Sequence, residues 1–283
     1  MSYATAVLAD SPVGFWRLIE SSGTTAVDSS PNGRNGVYGS SMVIGQDARL
    51  IGLGGGKADS LCVSFPGNSN GVVTLPTSVG DFEYNQPFTV ECWFADIGFL
   101  TTNLGIISKG SSSNAWSMYA YQGHFSFLMN NGTSNYTNSS PNATYSAGAW
   151  VHLVMVWDGS GSFVNGASWY VNGKVLLGTG YGTVSSGTVK NSSNALLGNS
   201  TSYYANNIRL NDMAVYSGAL SQARITEHYL SAAPLYAAAN PQASSVPVHH
   251  SASRPMKNII STATGTGGTM KNLKRTRTNP RTN

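Results

Sequence analysis

Twelve carboxylates and five histidines are the groups in this chain that could move protons or hold a metal, and their spacing decides which chemistry is open to it. Cleaving a glycosidic bond needs two carboxyl groups about 5–10 Å apart on either side of the bond. The nearest pairs in sequence are Asp81/Glu83 and Glu91/Asp96. The first falls in a loop before Pro87. The second has an odd separation, which puts its members on opposite faces of a continuing strand. Glu91, alone in an apolar run, is expected to be a hydrogen-bonded edge residue, not an acid catalyst. The histidines are His124, His152, His228 and the pair His249-His250. None has a second ligand at i, i+4 on a helix, and Cys62 and Cys92 lack Cys-x-x-Cys spacing, so no zinc site is indicated. His152 sits in a run that should be buried and reads as a satisfied core histidine. Gly159-Ser-Gly-Ser162 is a turn and no nucleophile elbow lies between a strand and a helix. No Asp-x-Asp-x-Asp loop is present to hold calcium, and Asp158 reads as a turn residue. The expectation is a protein without catalytic or metal-ligating residues.

Binding chemistry has more material. Sugars are held by aromatic faces together with amide and hydroxyl groups, which suits two loops rich in Asn, Ser and Thr. Asn130–Tyr145 offers Tyr136 and Tyr145, and Tyr181–Tyr204 offers Tyr203 and Tyr204 as glycan-contact candidates. The competing reading packs each tyrosine on its own sheet. A second candidate is electrostatic. No acidic residue follows Glu227, while residues 240–283 carry Arg254, Lys257, Lys271, Lys274, Arg275, Arg277 and Arg281. The preceding 239 residues hold nine Lys/Arg against twelve Asp/Glu, so a mildly acidic body bears a cationic tail. Lys271-Asn-Leu-Lys-Arg-Thr-Arg277 could contact nucleic-acid phosphates without sequence preference. No aromatic residue follows Tyr236 to stack on bases, so an acidic protein surface is the expected tail partner.

The elements that must position these residues are strands. Charged residues are only 10% of the chain, less than half the usual ~25%. Phe88, Val90, Cys92 and Phe94 alternate with Thr89, Glu91 and Trp93. Trp150–Trp157 is apolar on both faces, as a central strand between layers requires. Trp116–Tyr121 and His124–Leu128 flank Gln122-Gly123, a two-residue hairpin by spacing. Asn172-Gly173 inside Ser168–Leu177 is the strongest hairpin signal in the chain. Gly14–Leu18, Leu61–Phe65, Gly71–Leu75, Gly105–Lys109, Ala195–Leu197 and Ile208–Tyr216 complete the strands. Tyr3–Ala9 reads as a helical turn before Pro12. Ser221 can cap a short helix over Gln222–Leu230 with Ala223, Ile225 and Tyr229 toward the core, although Arg224 stands where a capping box needs Glu. From Pro234 onward the pattern dissolves into a segment unable to offset its ordering entropy. Cys62 and Cys92 both lie in apolar runs and are read as buried thiols in preference to a disulfide.

Taken in order, several segments resemble the laminin-G-like domains of bacterial and phage proteins. They are Tyr3–Leu18, Phe88–Phe94, Ile106–Lys109, Trp150–Asp158, Trp169–Lys174 and Asn211–Ser221, and the resemblance covers about residues 3–232. It implies an antiparallel jelly-roll β-sandwich of the concanavalin A/laminin-G type with a short C-terminal helix and an extended basic tail. The division expected is 1–233 for the sandwich and 234–283 for the tail. The family usually has Asp-Glu where this chain has Asn211-Asp212. Its members are mostly recognition or adhesion modules, some of which bind calcium; calcium here is implied by the resemblance alone. Glycoside hydrolases of this fold carry Glu-x-Asp-x-x-Glu along one strand, and this chain has no such triplet.

The resulting expectation is a non-catalytic surface module, part of an assembly. Its sandwich displays or recognises a ligand such as a cell-surface glycan, and its tail attaches to an acidic partner. The chosen setting is a phage virion, as capsid decoration, head fibre or tail component, with a free-standing lectin or adhesin as the alternative. No secretion signal or membrane-spanning run is evident in the sequence, so synthesis in a cytoplasm is expected.

Overall fold

The computed structural model describes residues 1–48, 61–98, 103–110, 113–160, 166–184, 186–200 and 205–239. The chain opens with helix α1 (Tyr3–Ala9), whose first turn is capped by Ser2 Oγ accepting from Thr5 N at 3.2 Å. Six strands follow: β1 (Gly14–Trp16), β2 (Thr25–Ala26), β3 (Gly36–Tyr38), β4 (Val43–Asp47), β5 (Leu61–Pro66) and β6 (Val73–Leu75). The long apolar segments of the middle of the chain give β7 (Phe88–Asp96), β8 (Leu104–Lys109), β9 (Ala115–Tyr121), β10 (His124–Asn130), β11 (Asn135–Ser139) and β12 (Trp150–Trp157). The last strands are β13 (Ala167–Val171), β14 (Lys174–Leu176), β15 (Thr179–Gly182), β16 (Ala195–Leu197) and β17 (Asn206–Tyr216), before helix α2 (Gln222–Ala239).

These strands form two antiparallel sheets in a jelly-roll sandwich. One has the order β14-β13-β12-β7-β17-β5-β4, with β1 also paired to β17; the other runs β15-β11-β10-β9-β8-β16-β6-β3-β2. The alternation along β7 is what joins the layers. Phe88, Val90, Cys92 and Phe94 enter the core between the sheets with Leu153, Met155 and Trp157 of β12. Across the gap they meet the second sheet, Phe88 against Trp116 at 5.1 Å and Phe94 against Phe125 at 5.3 Å between ring centroids. Each fully buried aromatic of this kind contributes on the order of 1.5–3 kcal/mol.

The other face of the first sheet is also apolar, and both helices cover it. Tyr3 and Val7 of α1 pack with Trp93, Ala214 and Tyr216, while Ile225 of α2 packs on Val154, Val156 and Tyr170. This explains why β12 is apolar on both sides: it lies between β7 and β13 with the sandwich core below and α2 above. Cys62 and Cys92 are free thiols that point to opposite faces of this sheet, Cys92 into the sandwich core and Cys62 under the helices.

Helix α2 differs from the sequence expectation in two ways. It continues beyond Leu230 and through Pro234 to Ala239, in a stretch rich in alanine, the residue of highest helix propensity. Among its described side chains the buried ones are Ile225, His228 and Ala232, whereas Ala223 is exposed. A helix lying on a sheet buries positions three and four apart, and Ile225 with His228 and Ala232 is that stripe. No helix among the described residues is long and apolar enough to cross a membrane.

Candidate functional site

Among the described residues neither helix packs on the second sheet, so its outer side is an open face built by strand parity. On β9, Trp116, Met118 and Ala120 turn into the core, which sends Ser117, Tyr119 and Tyr121 outward. On β10, Phe125, Phe127 and Met129 turn inward and His124, Ser126, Leu128 and Asn130 outward. Register then aligns the outward residues in rows. Ser108 of β8 stands opposite Ser117, Ser117 opposite Leu128, Leu128 opposite Thr137, and Thr137 opposite Tyr181 of β15. A parallel row holds Tyr119 opposite Ser126, Ser126 opposite Ser139, and Ser139 opposite Thr179. With strands about 4.8 Å apart, Tyr119 and Tyr181 bracket a hydroxyl-rich strip roughly 14 Å wide.

The strip has a floor and raised sides. Ser108, Ser117 and Ser126 are buried, 1%, 1% and 2% exposed. Tyr119 and Tyr121 are half-buried, and Tyr181 is 68% exposed. Three hydroxyls of the strip already have partners: Ser108 Oγ donates to Asn199 Oδ1 at 3.0 Å, and the Ser126 and Ser139 hydroxyls pair at 2.8 Å. Ser117 Oγ and His124 Nδ1 are buried with no hydrogen-bond partner among the described residues. Burial lowers the His124 pKa, so this ring is neutral at pH 7 and one of its nitrogens accepts. Buried polar atoms without partners cost about 1–3 kcal/mol each.

A second polar cluster lies on the opposite side of the molecule, sealed between the first sheet and the helices. Glu91 is in β7, a central strand between β12 and β17, and not at an edge as its isolation in sequence led one to expect. Its side chain is fully buried. Tyr3 Oη donates to Oε1 at 2.9 Å, Tyr216 Oη donates to Oε2 at 2.8 Å, and His152 Nε2 lies 2.7 Å from Oε1. A carboxylate can only accept, so the His152 proton sits on Nε2, and Nδ1 is left without a partner among the described residues. This histidine is in the buried strand, as expected, but is only half satisfied. His228 Nδ1 lies 3.0 Å from Glu91 Oε2, while its Nε2 faces Ala6 O at 3.1 Å and Asp10 Oδ2 at 2.9 Å. Both ring nitrogens face acceptors, so both donate and the ring is an imidazolium. Arg224 closes the cluster through Asp10, with Nε 2.9 Å from Oδ2.

Electrostatics agree with that assignment. Burial alone would raise the Glu91 pKa, but the hydrogen bonds and charges of His152 and His228 outweigh it and hold the carboxyl well below the usual carboxylate range. Burial, aided by the Glu91 charge, pushes the Tyr3 and Tyr216 phenols up. Burial would lower His228, yet its contacts with Glu91 and Asp10 carry it above its ordinary value. A permanently ionised carboxylate saturated by four side chains has no proton to give and no open side for a substrate. Asp96 lies on the other face of β7, near the Tyr145 hydroxyl at 3.4 Å, so the two carboxylates cannot flank one bond. Glu91 holds the helices to the sheet.

Calcium fits no better. Among the described residues no group of three or more His, Cys, Asp or Glu is placed to hold a metal. Asp28 Oδ1 accepts from Phe15 N and Ser30 N and its Oδ2 from Ser30 Oγ and Arg34 N, which uses up its lone pairs. Asp158 Oδ1 accepts from Ser160 N in the turn expected of it. Asp212, one residue of the Asn211-Asp212 pair, binds Arg17 Nε at 3.0 Å.

The glycan-contact tyrosines chosen from sequence need correction. Tyr136 and Tyr145 are buried, 0% and 5% exposed. Tyr136 lies in β11, not in a loop, with its ring 5.0 Å from Trp157 and its hydroxyl accepting from Ala167 N. Tyr145 stacks on Phe125 at 4.8 Å. Neither can offer a face to a sugar. Tyr203 and Tyr204, and the seven tail cations from Arg254 to Arg281, lie outside the described residues. The aromatic residues that do stand on an open face, Tyr119, Tyr121 and Tyr181, were signalled by alternation: Trp116, Met118 and Ala120 claim the inward positions of β9 and leave both its tyrosines outside.

The sequence model of the family described as the concanavalin A-like lectin/glucanases superfamily, Laminin_G_3, matches residues 66–226, more than half of the 283-residue chain. The chain belongs to this laminin-G family. No curated protein matches it in sequence. Solved structures share the laminin-G-like fold at low identity. The binding domain of Paraclostridial Mosquitocidal Protein 1 superposes with a TM-score of 0.59 at 16% identity, covering 78% of this chain and 52% of that one. The botulinum neurotoxin serotype D ligand binding domain, in complex with N-acetylneuraminic acid, gives 0.58 at 12% identity, covering 81% and 52%. Trypanosoma rangeli sialidase, in complex with a difluoro sugar acid, gives 0.54 at 14% identity, covering 80% and 33%. The laminin-G-like chain thus spans about half the length of the toxin domains and a third of the sialidase, and the likeness is one of fold.

Proposed function

We propose that this laminin-G-like chain is a non-catalytic carbohydrate-binding module whose ligand lies on the open face of the second sheet. The observation that carries the reading is the juxtaposition of Tyr119, Tyr121 and Tyr181 with a floor of serine and threonine hydroxyls, where two buried polar atoms, Ser117 Oγ and His124 Nδ1, lack partners among the described residues. Tyrosine rings take the apolar faces of sugars, and small hydroxyls exchange hydrogen bonds with sugar hydroxyls. The lectin-like fold and the sialic-acid complex of one structural neighbour are compatible with it. The non-catalytic part of the reading is supported by Glu91 and Asp96 lying on opposite faces of β7, and by Glu91 being saturated beneath the helices.

In this reading the sandwich, residues 1–233, recognises, and the segment from 234 onward, which begins within α2, attaches. Attachment to an acidic partner rests on the charge of Arg254, Lys257, Lys271, Lys274, Arg275, Arg277 and Arg281 alone. A capsid or other virion subunit is one such partner, but none of the structures named above is a virion component.

The test is glycan binding by the full chain, compared with Tyr121→Ala and Tyr181→Ala on the open face and Leu230→Ala on α2. Leu230 is 59% exposed and belongs to the helix-covered side. Loss in both tyrosine variants with Leu230→Ala unchanged supports the reading; equal binding by all four proteins removes the open face from consideration.

A further inference from the structure

We propose that the open face takes an uncharged oligosaccharide and discriminates against sialylated, uronic and sulfated chains. This rests on the carbohydrate-binding reading and names its ligand class.

Among the described residues this face lacks charge. The outward positions of β8, β9, β10, β11 and β15 hold serine, threonine, tyrosine, asparagine, leucine, alanine, glycine and one histidine, and no Asp, Glu, Lys or Arg. Exposed sheet surfaces ordinarily carry charge, and edge strands above all are guarded by lysine. β15 is such an edge and has none.

Three of the described cations are engaged away from this face. Lys109 turns inward, its Nζ donating to Thr77 O and to Ser193 O. Arg209 donates to Ser64 Oγ and Asp47 O, on the other sheet. Arg224 is bound to Asp10 above that same sheet. These three are held away from a carboxylate or sulfate laid over Ser117.

A charged group brought to this floor would surrender its hydration and find no opposite charge. A sugar hydroxyl meets the opposite situation. It donates and accepts at once, which is the capacity left open by Ser117 Oγ, itself donor and acceptor, and by the neutral His124 ring. The three tyrosines then supply apolar contact without charge.

The experiment uses the full chain and its Tyr181→Ala variant. The probes are immobilised neutral oligomers of glucose, galactose, mannose and N-acetylglucosamine, together with sialylated and sulfated derivatives of the same cores, read at low and high salt. Tyr181 is exposed, so the variant should fold, and circular dichroism checks this. The expected result is binding of at least one neutral series, insensitive to salt and weakened about tenfold or more by Tyr181→Ala, with acidic derivatives of that core bound about tenfold less tightly. If acidic derivatives bind more tightly than their neutral cores and lose that binding in Tyr181→Ala, the uncharged-ligand inference is overturned while the carbohydrate-binding reading stands. If no glycan gives binding that depends on Tyr181, both fall.

Discussion

Tyr181 on β15 stands directly opposite Thr137 on β11, so an exposed ring rises beside a threonine that is 8% exposed on the same side of the open sheet. The pair is one end of the proposed ligand strip: the ring offers an apolar wall and the threonine belongs to the floor. Tyr181→Ala should reduce glycan affinity about tenfold, equivalent to about 1.4 kcal/mol. Because the ring is solvent-exposed, stability should shift by no more than about 0.5 kcal/mol. Calorimetric titration and thermal unfolding of the same samples separate the two quantities. A large fall in Tm with unchanged affinity would make Tyr181 a structural residue.

On the other side of the sandwich, Glu91 should be the most sensitive polar position for stability. Glu91→Gln keeps the volume but removes the charge facing His152 and His228. Breaking one member of a buried charged cluster costs about 3–5 kcal/mol. Tyr3→Phe or Tyr216→Phe, each deleting one hydroxyl donated to Glu91, should cost about 1–2 kcal/mol. Urea unfolding measures all three, with glycan binding retained by any variant that folds.

The same cluster sets a pH dependence. Glu91 has a depressed pKa, so its contribution is present above the unfolded value of 4.5 and is lost as pH falls through the folded value. His228 is shifted upward, so its contribution is fully present below the unfolded value of 6.5 and is lost as pH rises through its folded value. Both act together between those two pH values. Thermal stability should therefore peak there and decline on the alkaline side, and His228→Asn should flatten that alkaline decline. A profile that is flat from pH 5 to 9 in the native protein would contradict the imidazolium assignment.

The β13–β14 hairpin gives a local test. Asn172 and Gly173 have φ of 52° and 74°, the left-handed pair of a two-residue turn. A Cβ at Gly173 would lie 3.1 Å from Tyr229 Cδ1 on α2, so the turn is pressed against the helix as well as strained. Gly173→Ala should destabilise the protein by about 1–2 kcal/mol, through the αL strain and the displaced ring. Asn172→Gly keeps the turn but removes the Oδ1 that accepts from His152 N at 3.0 Å, so it should cost about 1 kcal/mol, and chemical denaturation compares them.

The readable parts of this sequence are those with a local physical cause. Asn172-Gly173 announces its hairpin because the turn conformation is a property of those two residues. The parity of Phe88–Phe94 announces which side chains enter the core, because a strand has period two. Tyr136 was misplaced because Asn130–Tyr145, rich in Asn and Ser, reads as a loop; once Asn135–Ser139 is a strand, Tyr136 and Thr137 must face opposite ways. The Glu91 cluster could not be read at all. Its partners Tyr3, His152, Tyr216 and His228 lie 61 to 137 residues away in sequence, and only the pairing of β7 with β12 and β17 and the docking of both helices bring them together. The extension of α2 past Pro234 was hidden because a proline within a helix normally signals its end.

The most direct measurement of the central claim is hydroxyl-radical footprinting of the full chain with and without a saturating bound oligosaccharide, read at individual tyrosines. The account predicts protection of Tyr119, Tyr121 and Tyr181, with the oxidation of Leu230 on α2 unchanged. Protection at Leu230, with the three tyrosines unaltered, would place the ligand on the helix-covered side and contradict the account.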